Sequence, residues 1–128
     1  MAARHPAQEW AGCDFAAEAA ATARAMHPAS GIGFFWIPTI EDLESCGPFS
    51  TVIASEVIEH VQDDRAFLAG LVKAARYRVV LTTPTIDAQD PGHVRLYALG
   101  TLMELLSQYR ATIEQDDNFF YVKIEVGP

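Results

Sequence analysis

Short apolar runs alternate with amphipathic segments along this chain, the pattern of strands joined by helices. Residues 9–15 are short and apolar, suit a buried strand and end near Asp14. Residues 16–26 carry alanine at most positions and Glu18 in the first turn, which predicts a helix closed by His27-Pro28. The aromatic and β-branched run 31–37 predicts a strand stopped by Pro38. Residues 39–43 predict a short acidic turn, and Cys46-Gly47-Pro48 punctuates a loop. A further buried strand is expected at 51–55, with 56–61 as the helical turn leaving it. Asp63-Asp64 then precede an amphipathic helix at 65–76, where Phe67, Leu68, Leu71 and Val72 recur at helical spacing.

The second half continues the alternation. Residues 77–83 predict a third buried strand and 84–94 a polar loop containing Gly92. Leu99, Leu102, Met103, Leu105 and Leu106 form a core-facing stripe in a helix expected over 97–109. The end reads as a hairpin: 111–115, a turn at Asp116-Asp117-Asn118, then 119–126. At the other end, the Ala-rich residues 1–8, with Arg4 and His5, read as the last turns of a helix. Strands alternating with helices imply a parallel sheet, to which the hairpin adds an antiparallel edge.

Composition narrows the class. The 128 residues are half hydrophobic and 20% charged, which fits one folded domain over 1–128 and excludes general disorder. With 17 acidic against 9 basic residues the net charge is −8, which argues against nucleic acid or an anionic membrane as main partner. No run approaches the roughly 20 apolar residues of a membrane span, and the N-terminus has no apolar signal core. Cys13 and Cys46 make neither a metal-type pair nor a disulfide framework, so a cytoplasmic location is expected.

Three places carry candidate chemistry. Asp14 ends a strand and opens a helix, where α/β proteins bind ligands; capping that helix is the structural alternative. If 56–60 is helical, Glu56, Glu59 and His60 share one face. Such a set can act as acid and base or hold a divalent cation, and it also suits a solvated first turn. Thr83-Pro84 closes the next strand, and His93 and Arg95 follow in its loop.

In order, WAGCDF, PTIEDL, FSTVIASEVIEHV, YRVVLTTP, GHVRLY and the closing hairpin resemble the class I S-adenosylmethionine-dependent methyltransferases, nearest the small-molecule and O-methyl branch. The resemblance implies a Rossmann-like α/β sheet and S-adenosylmethionine as methyl donor. It places Asp14 on the ribose hydroxyls and Phe15 against the adenine. Thr39 stands where the family has an acidic residue for the adenine amine, beside Ile40, with Asp42 as substitute. Ser50 stands where the family commonly has Asp. Ala54, Ser55 and Glu56 line the methionine part, and Thr83, Pro84, His93 and Arg95 face the acceptor. Glu56, Glu59, His60 and His93 also resemble the metal-binding set of small-RNA and quinone-pathway O-methyltransferases. There the cation lowers the pKa of the acceptor hydroxyl; Glu59 and His60 are the expected catalytic pair.

One departure is large. The family's Gly-rich cofactor loop is absent, and Gly31-Ile32-Gly33 falls before the wrong strand. RHPAQEWAGCDF matches the end of the family's first helix and its second strand, so the first strand, which lies centrally, is missing. Unpaired backbone groups on the strands it separates would cost about 1–3 kcal/mol each. The two strands pair directly, another chain or copy fills the gap, or the product is incomplete; incompleteness is the expectation. A non-catalytic methyltransferase-like module needing a partner is the alternative function, and an unrelated nucleotide-binding domain a distant third.

Overall fold

A computed structural model of the chain describes residues 9–29, 32–87 and 89–127. The expected helix end at 1–8 lies outside the described residues. The chain forms two compact units, 1–43 and 44–128.

In the first unit, strand β1 (Ala11–Asp14) leads into helix α1 (Ala17–Met26), which returns the chain to strand β2 (Gly33–Trp36). β1 and β2 pair in parallel from Ala11 opposite Gly33 to Asp14 opposite Trp36. Alanine-rich α1 is a strong helix former, with Glu18 and Arg24 at the ends that suit its dipole. Arg24 Nε donates to the Phe34 carbonyl at 2.8 Å, tying α1 to β2. The strand expected to be buried is instead exposed over most of its length, because β2 covers one edge and small alanines cover little of its face. A short helix, α2 (Glu41–Cys46), begins at the end of this unit, where a simple turn was expected.

The second unit contains strand β3 (Phe49–Ser55), helix α3 (Asp64–Ala74), strand β4 (Ala75–Pro84), helix α4 (Leu99–Leu105), and the hairpin β5 (Arg110–Gln115) and β6 (Phe119–Glu125). Its sheet runs β3-β4-β6-β5, parallel between β3 and β4 and antiparallel across the hairpin. Strand alternation builds the core: Val52 and Ala54, then Val79, Leu81 and Thr83, then Phe120, Val122 and Ile124 all point to a buried face. Phe67, Leu68 and Leu71 of α3 are buried as the helical spacing predicts, and α3 packs on β3 and β4. Each such side chain contributes roughly 1.5–3 kcal/mol by leaving water. The Asp63 carboxylate accepts from the Ala66 N–H at 3.0 Å and fixes where α3 starts.

One expectation changes here. Of the stripe in α4, Leu102, Leu105 and Leu106 are buried, whereas Leu99 and Met103 are 44% and 56% exposed. A helix of seven residues has one buried face, and these two lie off it. Among the described residues, β1 pairs with β2 in one sheet and β3 with β4 in the other.

Candidate functional site

The chain leaves β3 through Glu56, which adopts φ 56°, a left-handed conformation that side chains seldom take. Its N–H donates to the Thr82 carbonyl at 2.9 Å, carrying the β3–β4 pairing one residue past the strand. The expected helical turn is thus a tighter reversal, closed by His60 N–H to the Val57 carbonyl at 2.9 Å. Helical spacing consequently does not apply across Glu56. Glu59, His60 and His93 offer ligand atoms that all lie within 4.8 Å of one another, and Glu56 is outside this group.

Glu59 is the unusual member. It is 1% exposed, in a unit whose other fully buried groups are apolar apart from Thr83. The Thr83 hydroxyl donates to Glu59 Oε2 at 3.0 Å, while Oε1 has no hydrogen-bond partner. Thr83 reaches it because it continues the inward-facing series Val79, Leu81 on β4. A buried carboxylate oxygen with no hydrogen-bond partner is costly.

The imidazoles supply the setting. His60 Nδ1 lies 2.9 Å from the Gly92 carbonyl, which can only accept, so Nδ1 carries a hydrogen. That Nε2 is 3.8 Å from Glu59 Oε1. The His93 ring stands edge-on to His60, with centroids 4.7 Å apart, and its Nε2 is 3.6 Å from Asp90 Oδ2. A side chain at Gly92 would crowd this approach, since a Cβ there would lie 3.1 Å from His60 Nδ1. A histidine whose far nitrogen donates to a carbonyl, and a carboxylate held by a hydroxyl, are the outer supports typical of metal ligands. The residues present therefore fit a divalent cation.

The loop carrying His93 is tied to the turn carrying Glu59. Val94 N–H donates to the Glu59 carbonyl at 2.8 Å. The Arg95 guanidinium is turned toward backbone carbonyls of residues 58, 61 and 62, and Tyr97 donates to Asp64 Oδ2 at 2.7 Å. Burial first, and the Asp64 bond second, push the Tyr97 hydroxyl well above its ordinary pKa, so it stays a donor. Asp64, Tyr97 and Gly92 were not among the residues singled out by the motifs. The GHVRLY string held the signal, in a glycine set directly before the histidine.

Other candidates are placed as follows. Asp14 Oδ1 accepts from the Ala16 N–H at 2.8 Å, a local turn that starts α1. Phe15 is 37% exposed, and its carbonyl accepts from Trp36 Nε1 at 2.9 Å. Thr39 donates through N–H and hydroxyl to Asp42 Oδ2, at 3.0 and 2.9 Å, in the manner of a capping box at α2; Ile40 lies within that turn. These five belong to the first unit. In the second, Ala54 is buried, Ser55 bonds the Thr82 hydroxyl at 2.9 Å, and Pro84 pairs with Phe119 at the end of β4. Among the described residues, no helix is long and apolar enough to cross a membrane.

Comparison with known proteins gives a fold-level answer. No protein-family model matches the chain, and no curated protein matches it. Among solved structures it is similar to the CurJ carbon methyltransferase, with a TM-score of 0.75 at 11% identity over 94% of this chain and 42% of that one. It is similar to an O-methyltransferase family protein from Burkholderia thailandensis, with a TM-score of 0.74 at 12% identity over 98% and 46%. It is also similar to the N-methyltransferase NodS from Bradyrhizobium japonicum in complex with S-adenosyl-L-homocysteine, with a TM-score of 0.63 at 16% identity over 94% and 67%. The chain spans less than half the length of the first two. Carbon, oxygen and nitrogen acceptors share this architecture, so the likeness speaks to fold and not to acceptor. With two parallel ladders, a closing antiparallel hairpin and these likenesses, the chain has the Rossmann-like α/β fold of the class I methyltransferases.

Proposed function

We propose that this chain serves in methyl transfer from S-adenosylmethionine to a hydroxyl of a small molecule, with a divalent cation held by Glu59, His60 and His93. The observation that carries the reading is the buried Glu59 carboxylate, whose Oε1 has no hydrogen-bond partner and stands 3.8 Å from Nε2 of His60. S-adenosylmethionine supplies a methyl group on a sulfonium, and displacement there needs alignment more than covalent help from the protein. A cation at this place would lower the pKa of a bound hydroxyl so that it ionises near neutral pH. Carboxylate and imidazole donors suit Mg²⁺, Mn²⁺ or Zn²⁺.

The chain's own residues take distinct parts. Asp14 would accept from the ribose hydroxyls and Phe15 lie along the adenine, with Thr39, Ile40 and Asp42 near its amine. Ala54, Ser55 and Glu56 would border the methionine moiety. Thr83 orients Glu59, and Pro84 ends the strand beside it. In the absence of a cation, His60 is the base: the Gly92 carbonyl fixes its tautomer and leaves Nε2 to take a proton. The net charge of −8 favours a small acceptor over nucleic acid.

A second reading is a non-catalytic module completed by a partner chain or a second copy that adds a strand, since among the described residues β1 pairs with β2 alone and β3 with β4 alone. Isothermal titration of the chain with Mn²⁺, and then with S-adenosylhomocysteine, separates the two. Saturable binding of both supports the enzyme reading. Binding of Mn²⁺ alone moves support to the module, and failure to bind Mn²⁺ removes the cation from the account.

A further inference from the structure

Two irregular segments carry the three ligand groups, and neither is held by helical or sheet hydrogen bonding of its own. Between β3 and α3, the carbonyls of Ile58, Val61 and Gln62 bracket and follow the Glu59-His60 pair. Arg95 meets all three: Nη1 donates to Ile58 O at 2.8 Å and to Val61 O at 2.5 Å, and Nη2 to Gln62 O at 2.8 Å. Its Nε lies 3.6 Å from Asp64 Oδ2, the oxygen that also accepts from Tyr97. His93 sits two residues before Arg95 on the same strap, and Val94 N–H bonds the Glu59 carbonyl.

We propose that Arg95 is a positioning residue, which locks the Glu59-His60 turn against the His93 strap and thereby sets cation affinity. This rests on the cation site proposed above; Arg95 itself touches neither the cation nor the reacting atoms. The chemistry requires arginine. Its planar fork presents five N–H groups in fixed directions and can serve three carbonyls and a carboxylate together. Lysine has its donors on one nitrogen and cannot span the carbonyls of residues 58 and 62 while facing Asp64. Asp64 balances the charge of the half-buried guanidinium and keeps it over the turn.

The test uses the whole chain and the variants Arg95→Lys, Arg95→Met and Asp64→Asn. Mn²⁺ affinity is read from the electron paramagnetic resonance of free Mn²⁺ at a temperature well below unfolding. Separately, without metal, the nuclear Overhauser contact between the His60 and His93 rings reports their distance. Both Arg95 variants should bind Mn²⁺ about 10–100-fold more weakly, the usual range for outer supports of a metal site. They should lose the ring contact while the β4–β6 amide spectrum is unchanged, and Asp64→Asn should show a smaller effect in the same direction. Wild-type Mn²⁺ affinity with the ring contact retained in the Arg95 variants overturns the proposal. If the wild-type chain binds no Mn²⁺, the cation reading fails by itself, and the metal-free ring contact still decides what Arg95 does. Should the Arg95 variants not fold, Asp64→Asn decides: weakened affinity supports the proposal and wild-type affinity overturns it.

Discussion

Asp42 and Glu59 are carboxylates that follow the carboxyl ends of strands, six residues after Trp36 and four after Ser55, yet they differ in every physical respect. Asp42 is half-buried, and its Oδ2 takes two hydrogen bonds from Thr39, so the turn into α2 accounts for it. Glu59 is fully buried, has one hydrogen bond, and keeps an oxygen with no hydrogen-bond partner beside two imidazoles. A carboxylate used by its own turn is a structural part. One that is dehydrated and only half satisfied is what the proposed cation would complete.

The sharpest way to break this contrast is to remove the charge. Glu59→Gln should abolish Mn²⁺ binding in a titration, a loss well beyond the roughly 10–100-fold of an outer-support change. Its thermal midpoint without metal should hold or rise, because a neutral amide replaces a buried carboxyl group with an oxygen that lacks a hydrogen-bond partner. Thr83→Val comes next: Mn²⁺ affinity should fall about tenfold or more, and stability by about 1–3 kcal/mol in urea unfolding as Glu59 loses its donor. Asp42→Asn is the contrasting arm. Weakening the capping bonds at Thr39 should cost about 0.5–1 kcal/mol by urea unfolding, with no change in Mn²⁺ affinity.

A finer distinction concerns Glu56. Glu56→Gly relieves the left-handed backbone and should stabilise the chain by about 1 kcal/mol in urea unfolding, at unchanged Mn²⁺ affinity. The smallest effect is expected at the hairpin. The Tyr121 hydroxyl, and then the N–H groups of Asn118 and Phe119, hold Asp116 below its ordinary pKa of 3.8. A lowered folded-state pKa contributes stability that is present above the ordinary value and lost as pH falls through the folded one. The thermal midpoint of the wild type should therefore approach that of Asp116→Asn only below pH of about 4.

Much of the fold was legible because apolar periodicity and stop residues coincide. The alanine helix, the α3 stripe of Phe67, Leu68 and Leu71, and the terminal hairpin all satisfy local preference and burial at once. The site was harder to read. Glu-Val-Ile-Glu-His suits a helix by propensity, yet pairing of the Glu56 N–H with Thr82 on β4 overrides it and separates Glu56 from Glu59. That pairing spans 26 residues and leaves no mark on local spacing. Thr83 and Arg95 stood out by their place at and after a strand end, but their partners, a buried carboxylate and three carbonyls, exist only in the folded chain. The stripe in α4 misled because spacing marks a face without saying where the helix ends. As for α2, its acidic start resembles a turn, and Cys46 with Gly47-Pro48 cuts it to six residues.

The proposed cation site of Glu59, His60 and His93 stands or falls on a Mn²⁺ titration of the wild-type chain beside Glu59→Gln. One ion per wild-type chain, and none in the variant, is the expected result. Equal binding by the two, or none by either, would contradict it.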